Sequence, residues 1–376
     1  MQGAAAAAVF VLAIGVPPAS ASIVSAPPST AWRAVPLPSL GLAALDDLSA
    51  LGPSSAWAVG LQIVTNDAIV LHWNGTAWST GPTTGIAAGV TLQGVDARSD
   101  RDILADGFDT SSGSNVVFRF DGSSWTLLPR PSAADTGFAP FGASFGPGGQ
   151  IWATGSVGGL PAFFKLTAAG WKTFPTGVTV PGIVSQPLFV RPNDAWSFGF
   201  TGLGTSAFSP LLLHFNGKTW SQVNAPPLPP TAVSGTLSGI VVTPGGRVWL
   251  SGNSHPCSFG SVCANTPFVA RGRPGHWKSV PLPSGVTAVA GLSPNRAGRP
   301  QWMTATTSDS SSSFYLHFSG GAWTLVPGVT ITGQFSPHMT VVHIPGTNAT
   351  WAVGSAQDGP LVSSIAPRIE LNGSLP

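Results

Sequence analysis

The chain of 376 residues offers few side chains with which to do chemistry. It holds one tyrosine, Tyr315, and one glutamate, Glu370, among 14 acidic residues. A tyrosine nucleophile needs an activating partner close by, and a single tyrosine excludes a copper site built on two. No G-x-S-x-G elbow is present for a serine hydrolase. Two carboxylates at a set separation would suffice for glycoside hydrolysis, and that chemistry stays open to the aspartates. The densest acidic stretch is Asp96, Asp100, Asp102, Asp106 and Asp109. Calcium takes such oxygen ligands, but Arg98 and Arg101 are interleaved and the spacing is not that of a calcium loop. A solvated turn is the expectation.

His72, His214 and His317 occupy one position of a repeat, just before an aromatic or apolar residue. Arg119, Lys165 and Glu370 fill that position elsewhere, so it reads as a solvated strand face. His338 and His343 lie on or beside an inner strand, where His338 would be placed to meet a ligand. Cys257 and Cys263 sit in a stretch rich in Gly, Ser, Asn and Pro, and a loop-stapling disulfide is expected in an oxidising compartment. Zinc would need about four ligands, and only His255 is near. No cofactor is expected. Net charge is +2, charged residues are 8% of the chain, and no basic cluster is expected. This excludes the electrostatic footprint of a nucleic-acid binder.

The elements that carry these residues are set by tryptophan. Each copy of a repeat reads A-W-x-x-G or a variant, then a Gly/Ser-rich loop, an apolar strand, and N-G-x-x-W. The fullest copy is Ala56-Trp57-Ala58-Val59-Gly60 followed by Ile69-Val70-Leu71-His72-Trp73-Asn74-Gly75-Thr76-Ala77-Trp78. First tryptophans stand at Trp57, Trp152, Trp196, Trp249, Trp302 and Trp351, with Leu104 in the second copy. Second tryptophans stand at Trp78, Trp125, Trp171, Trp220, Trp277 and Trp323, at intervals of 46 to 57 residues. That is the length of one propeller blade of four short antiparallel strands. Lettered from the channel outward, the first tryptophan opens the working part of strand b. The apolar run is strand c, and the second tryptophan starts strand d. Asn-Gly and Asp-Gly predict two-residue hairpins with positive φ at both central positions. Burying one indole removes roughly 200 Å² from water, about 5 kcal/mol before entropy costs.

The seventh copy ends at Asn372-Gly373 without a strand d. Ser29-Thr30-Ala31-Trp32 has the context of a strand d without a blade before it. An all-β, seven-bladed propeller is expected, its ring closed by the N-terminal strand on the last blade, so that no edge is left open. The hairpins resemble the Asp-box of sialidase-type propellers, and the W-x-x-G pattern is similar to the kelch-like repeats of secreted bacterial propellers. The resemblance covers residues 29–376 and implies architecture. The Ser or Thr two places before the Asp is replaced, as in Phe118-Arg119-Phe120-Asp121, which does not support sialidase-like activity.

Residues 1–21 read as a signal peptide: an apolar run from Ala4 to Val16, then Pro17-Pro18 and Ala19-Ser20-Ala21. The run is too short to span a bilayer. Residues 22–28 read as a linker and 29–376 as one domain. Turns between a and b and between c and d are short. The b-to-c and d-to-a connections are longer and polar, among them Asp109 to Ser114, Thr201 to Pro210, His255 to Pro267, Ser308 to Ser313 and Ser355 to Val362, and they share one rim. The functional expectation is a secreted, monomeric, non-catalytic module that binds a glycan, cell-wall polymer or protein on that rim. The alternative is a polysaccharide-active enzyme using Asp at the channel mouth.

Overall fold

The computed structural model describes residues 31–130, 142–257, 264–309, 312–330, 334–335, 340–357 and 365–375. It is a ring of seven antiparallel sheets. Blade one comprises Ala43–Gly52, Ser55–Gln62, Ala68–Trp73 and Trp78–Thr80. Blade two comprises Val90–Ser99, Asp102–Asp109, Ser114–Phe120 and Trp125–Leu127. The same a-b-c-d order recurs in 142–175, 234–280 and 286–330. In blade four, Gly182–Val184 and Leu188–Arg191 both pair with Asp194–Thr201, so the inner strand is broken. Blade seven shares this feature, with Gln334–Phe335 and Thr340–His343 both on Thr350–Gln357.

The N-terminal strand Trp32–Ala34 closes the ring. It pairs with Ile365–Asn372, matching Trp32 with Asn372 and Ala34 with Glu370. Trp32 is buried against blade six, stacked on Tyr315 at 3.9 Å and edge-on to Trp302 at 5.1 Å.

Seven apolar clusters hold the ring, one between each pair of blades. In each, the strand-b residue of one blade meets the strand-d tryptophan of the next. The pairs are Trp57 with Trp125, Leu104 with Trp171, Trp152 with Trp220, Trp196 with Trp277, Trp249 with Trp323, Trp302 with Trp32, and Trp351 with Trp78. Thirteen of the 14 tryptophans do this work, as the repeat predicted, because b and d side chains of one blade point to opposite faces of the sheet. Only Trp171 and Trp277 stay partly exposed.

The c-to-d turns differ from expectation. The first positions, such as Asn74, Asp121 and Asn216, are not at positive φ; Gly75, Gly122 and Gly217 are. Four residues span the turn, and the Asn or Asp carboxamide or carboxylate closes it from inside. Asn74 Oδ1 accepts from the backbone N–H of Thr76 and Ala77 at 2.9 and 3.0 Å. Asp121 and Asn216 do the same. Asn and Asp are used for their side-chain acceptor, an Asx turn, and not for left-handed backbone.

The glycine of A-W-x-x-G has a separate reason. A Cβ on Gly60 or Gly107 would collide with the carbonyl oxygen of Ala44 or Thr91 on the inner strand. The inner strand comes that close because it is bulged there, with register shifts at Leu45/Asp47 and Leu92/Gly94.

Candidate functional site

The inner strands surround a cavity of about 800 Å³. The bulges decide what lines it. An extra residue in one strand re-aims a side chain, and the extra residues of blades one, two and five are Asp46, Gln93 and Ser238. All three line the cavity, with Asp47, Asp96, Asp106, Ser144, Ser185 and Gln186. The carboxylates come from blades one and two, and blades four to six contribute Ser, Gln, Gly, aliphatic and Phe residues.

Each of three carboxylates accepts a backbone N–H from the following blade. Val95 N–H donates to Asp47 Oδ2 at 3.0 Å, Phe145 N–H to Asp96 Oδ2 at 2.7 Å, and Ala143 N–H to Asp106 Oδ1 at 2.9 Å. Asp47 Oδ1 also accepts from Leu48 N–H at 2.8 Å. Asp106 fits because Gly94, opposite it, has no side chain. Polar residues join other blades in the same way: Asn253 Oδ1 accepts from Val289 N–H, and Ser355 Oγ from Leu45 N–H.

Burial raises all three carboxyls. Asp47 is pushed to about 7 by desolvation, with Asp106 and Asp96 adding repulsion and the amide donors opposing. Asp106 is pushed to about 6 by desolvation. Asp96 is raised for the same reason. Burial thus favours the protonated form of these carboxyls more than at an exposed site.

The acidic stretch therefore does not act as one solvated turn. Asp96 and Asp106 face the channel. Asp102 is turned to the outer side of the blade, where it pairs with Arg98 and with Arg119 Nε at 2.8 Å. Against the burial that would raise it, Arg119 and then Arg98 hold its carboxyl below the ordinary value. Asp100 accepts from Ser55 Oγ at 2.5 Å and Trp57 Nε1 at 2.9 Å. Of the five, Asp100 alone fits the expectation of a solvated a-to-b turn, where it is exposed; Asp109 ends strand b, and Ser111 and Ser112 hold it down to about 2. Among the described residues no group of three or more His, Cys, Asp or Glu forms a metal site.

The repeat position read as a solvated face is instead a stacking position. His72 stacks on Trp57 at 4.3 Å and His317 on Trp302 at 4.4 Å, and His214 lies tilted over Trp196 at 4.4 Å. Lys165 and Arg271 lie over Trp152 and Trp249 at 5.7 and 5.3 Å. The strand register makes these pairs: Trp57 is opposite His72 and Trp249 opposite Arg271. Glu370 departs most. In blade seven, Trp351 is opposite Leu371, one residue over, so Glu370 turns to the other face and is fully buried against blade six. There Ser313 Oγ donates to both its oxygens at 2.8 and 2.9 Å, and Tyr315 Oη to Oε2 at 3.0 Å. Arg368 is 3.6 Å away. Burial raises Glu370, and burial with Glu370's charge raises Tyr315 well above its ordinary value. Tyr315 and Glu370 are not among the residues lining the channel cavity, but they meet.

A second depression lies between blades five and six, on the rim of short turns, with a volume of about 920 Å³. It is lined by Arg247, Arg271, Arg273, His276, Lys278 and Arg299. The expectation that the chain has no basic cluster is thus overturned. The cations come from separate strands and turns, so no run of sequence shows them.

His338, Cys263 and parts of the long loops, among them 258–263, 310–311 and 358–362, lie outside the described residues. Residues 1–30 do as well. Among the described residues no helix is long and apolar enough to cross a membrane.

No protein-family model and no curated protein matches the chain. Solved structures match its shape. "YCF48 bound to D1 peptide" aligns at TM-score 0.55 and 16% identity, covering 93% of this chain and 100% of that one. YCF48 from Cyanidioschyzon merolae gives 0.58 and 14%, covering 91% and 99%. The polysaccharide lyase Uly1 gives 0.53 and 10%, covering 93% and 90%. Identities this low show the fold and nothing finer: this chain is a seven-bladed β-propeller.

Proposed function

We propose that the chain is a secreted binding propeller without catalytic chemistry, of the kelch-like, Asp-box-like kind, holding a glycan, cell-wall polymer or protein segment over the channel and its long-loop rim. The observation that carries this reading is the commitment of the channel carboxylates. Asp47, Asp96 and Asp106 each bind a backbone amide of the next blade. They join blades where an enzyme would present them free. Tyr315 and Glu370 are likewise consumed in a buried contact. The leader-like Ala4 to Val16 run and the expected Cys257–Cys263 disulfide support an extracellular setting. Among proteins of like shape, one holds a peptide and another is a polysaccharide lyase, and a peptide or a glycan suits a rim of Ser, Asn and Gly loops.

One observation favours the enzymatic reading. Carboxyls raised to about 7 and about 6 on one wall of a cavity are matched to acid–base work near neutral pH. The two readings separate on one experiment. Purified protein is screened on a glycan and peptide array, and array-positive polysaccharides are then assayed for new chain ends. Retention without new ends is expected. New ends that D106N abolishes, in a protein that still melts cooperatively, would establish the enzyme instead.

A further inference from the structure

In blades one, two, three, four and six, strand b begins two residues before its tryptophan or Leu104; in blades five and seven it begins one residue before, at Val248 and Thr350, and the residue two before lies in the preceding turn. In blade two this residue is Asp102, bound to Arg119. In blade four it is Asp194, 3.0 Å from His214. Blade one has Ser55 there, and Asp100 from the next blade's turn stands 3.4 Å from His72. Each of these cationic or titratable groups on strand c thus has an acid.

Blade five inverts the pattern. Its stacked cation is Arg271, and the residue two before Trp249 is Arg247. The turn that supplies Asp100 in blade two carries Arg296 and Arg299 in blade six. Lys278 lies directly opposite Arg271 on strand d, an arrangement that costs stability between like charges. Arg247, Arg273, Lys278 and Arg299 are exposed. Among the described residues none of these cations has an ion-pair partner. From residue 195 to residue 308 the chain contains no Asp or Glu at all, against seven Lys and Arg. Blade three repeats the like-charged pair, Lys165 opposite Lys172, but its b strand opens on neutral Gln150.

A site that gathers this many cations and excludes every acid stabilises itself only with an anion from outside. We propose that the groove between blades five and six binds an anionic polysaccharide, with sulfate or carboxylate groups repeated along it. Two features set the class. The cations are spread along an open groove of about 920 Å³ and do not converge on one point, which suits repeated charges better than one phosphate. The aromatic beneath them, Trp249, is 4% exposed under Arg271, so its ring face is not offered to a nucleobase. The groove is on the rim opposite the long loops, and the inference stands whether or not the channel holds a ligand.

The test uses the full mature chain. Heparin serves as the sulfated probe, polygalacturonate as the carboxylated one, dextran as the neutral control, and inorganic phosphate as the small anion. Binding to one or both acidic polymers and not to dextran is expected, weakening at least tenfold between about 50 and about 500 mM salt. The variant R273Q/K278Q/R299Q, all exposed positions, should weaken binding roughly tenfold or more with an unchanged melting temperature. R33Q, on blade seven, should leave binding unchanged. Equal binding by the triple variant would overturn the site. Binding of phosphate without either polymer, or equally tight binding of single-stranded DNA, would overturn the polysaccharide assignment.

Discussion

Blades two and five are built on one plan and carry opposite charges. Each has an arginine on strand c, Arg119 or Arg271, opposite the same position of strand b. Blade two answers its arginine with Asp102, while blade five adds Arg247. Nine of the 14 acids fall between residues 46 and 121, and none between 195 and 308. The scaffold does not need this asymmetry, since blade six closes the same position with Pro300 and no charge. The lesson is that packing and charge are written on separate positions: tryptophan builds the ring and leaves the b/c entry free to vary.

The largest expected effect ignores the contrast and calibrates it. Trp32 is shared by blades six and seven and is 7% exposed. W32A removes its stack on Tyr315 and a large apolar volume, at a cost of about 3–5 kcal/mol. Urea unfolding should show that loss whatever the pH or salt. A loss under about 1 kcal/mol would mean that the N-terminal strand does not close the ring.

Next comes the acid side itself. D102N leaves Arg98 and Arg119 without their shared carboxylate. Because both arginines are about half exposed, the cost is discounted to about 1–2 kcal/mol. Asp102 is held low in the fold, so its contribution is present above the ordinary carboxyl value and is lost as pH falls through the folded value. Asp106 has the opposite sign. It is raised to about 6, so the stability its proton confers is full below the ordinary value near 3.8 and is lost as pH rises through about 6. Melting temperature should therefore fall between pH 5 and pH 8. D106N keeps an acceptor for Ala143 N–H and should flatten that fall, recovering about 2–3 kcal/mol at pH 8. A wild-type melting temperature flat over that range would show that the channel carboxyls are not raised.

Much of this was legible in sequence, for a physical reason. Tryptophan at b and d recurs because every blade interface needs the same volume, so Trp32 could be assigned to the last blade from its neighbours alone. What escaped depends on register and on contacts between distant segments. The bulges that aim Asp46 and Gln93 into the channel leave no compositional mark beyond the glycine they face. Glu370 aligns with His72 by counting back from Asn-Gly. Yet no c-to-d hairpin fixes blade seven, and a one-residue slip put Glu370 on the opposite face. The cations of the groove are separated by up to 52 residues, Arg247 to Arg299, and only the ring brings them together.

The smallest effect on stability is the sharpest probe of the contrast. R247D gives blade five the acid that blade two has, at the equivalent position, two residues before the strand-b aromatic. Trp249 faces Arg271 as Leu104 faces Arg119, and a carboxylate at 247, just before strand b where Asp102 opens it, is expected to reach Arg271. It removes one like-charge contact and adds one partly exposed ion pair, a gain of about 0.5–1 kcal/mol. The same substitution should weaken heparin or polygalacturonate binding at least tenfold, since the anion's place is now filled from within the chain. Stability up with affinity down is the signature of a site held open at a cost. The cycle R247D, R271Q and the double variant isolates the new pair, because R247D should gain nothing once Arg271 is gone. If R247D destabilises the protein, or leaves binding intact, blades two and five differ in composition without differing in role.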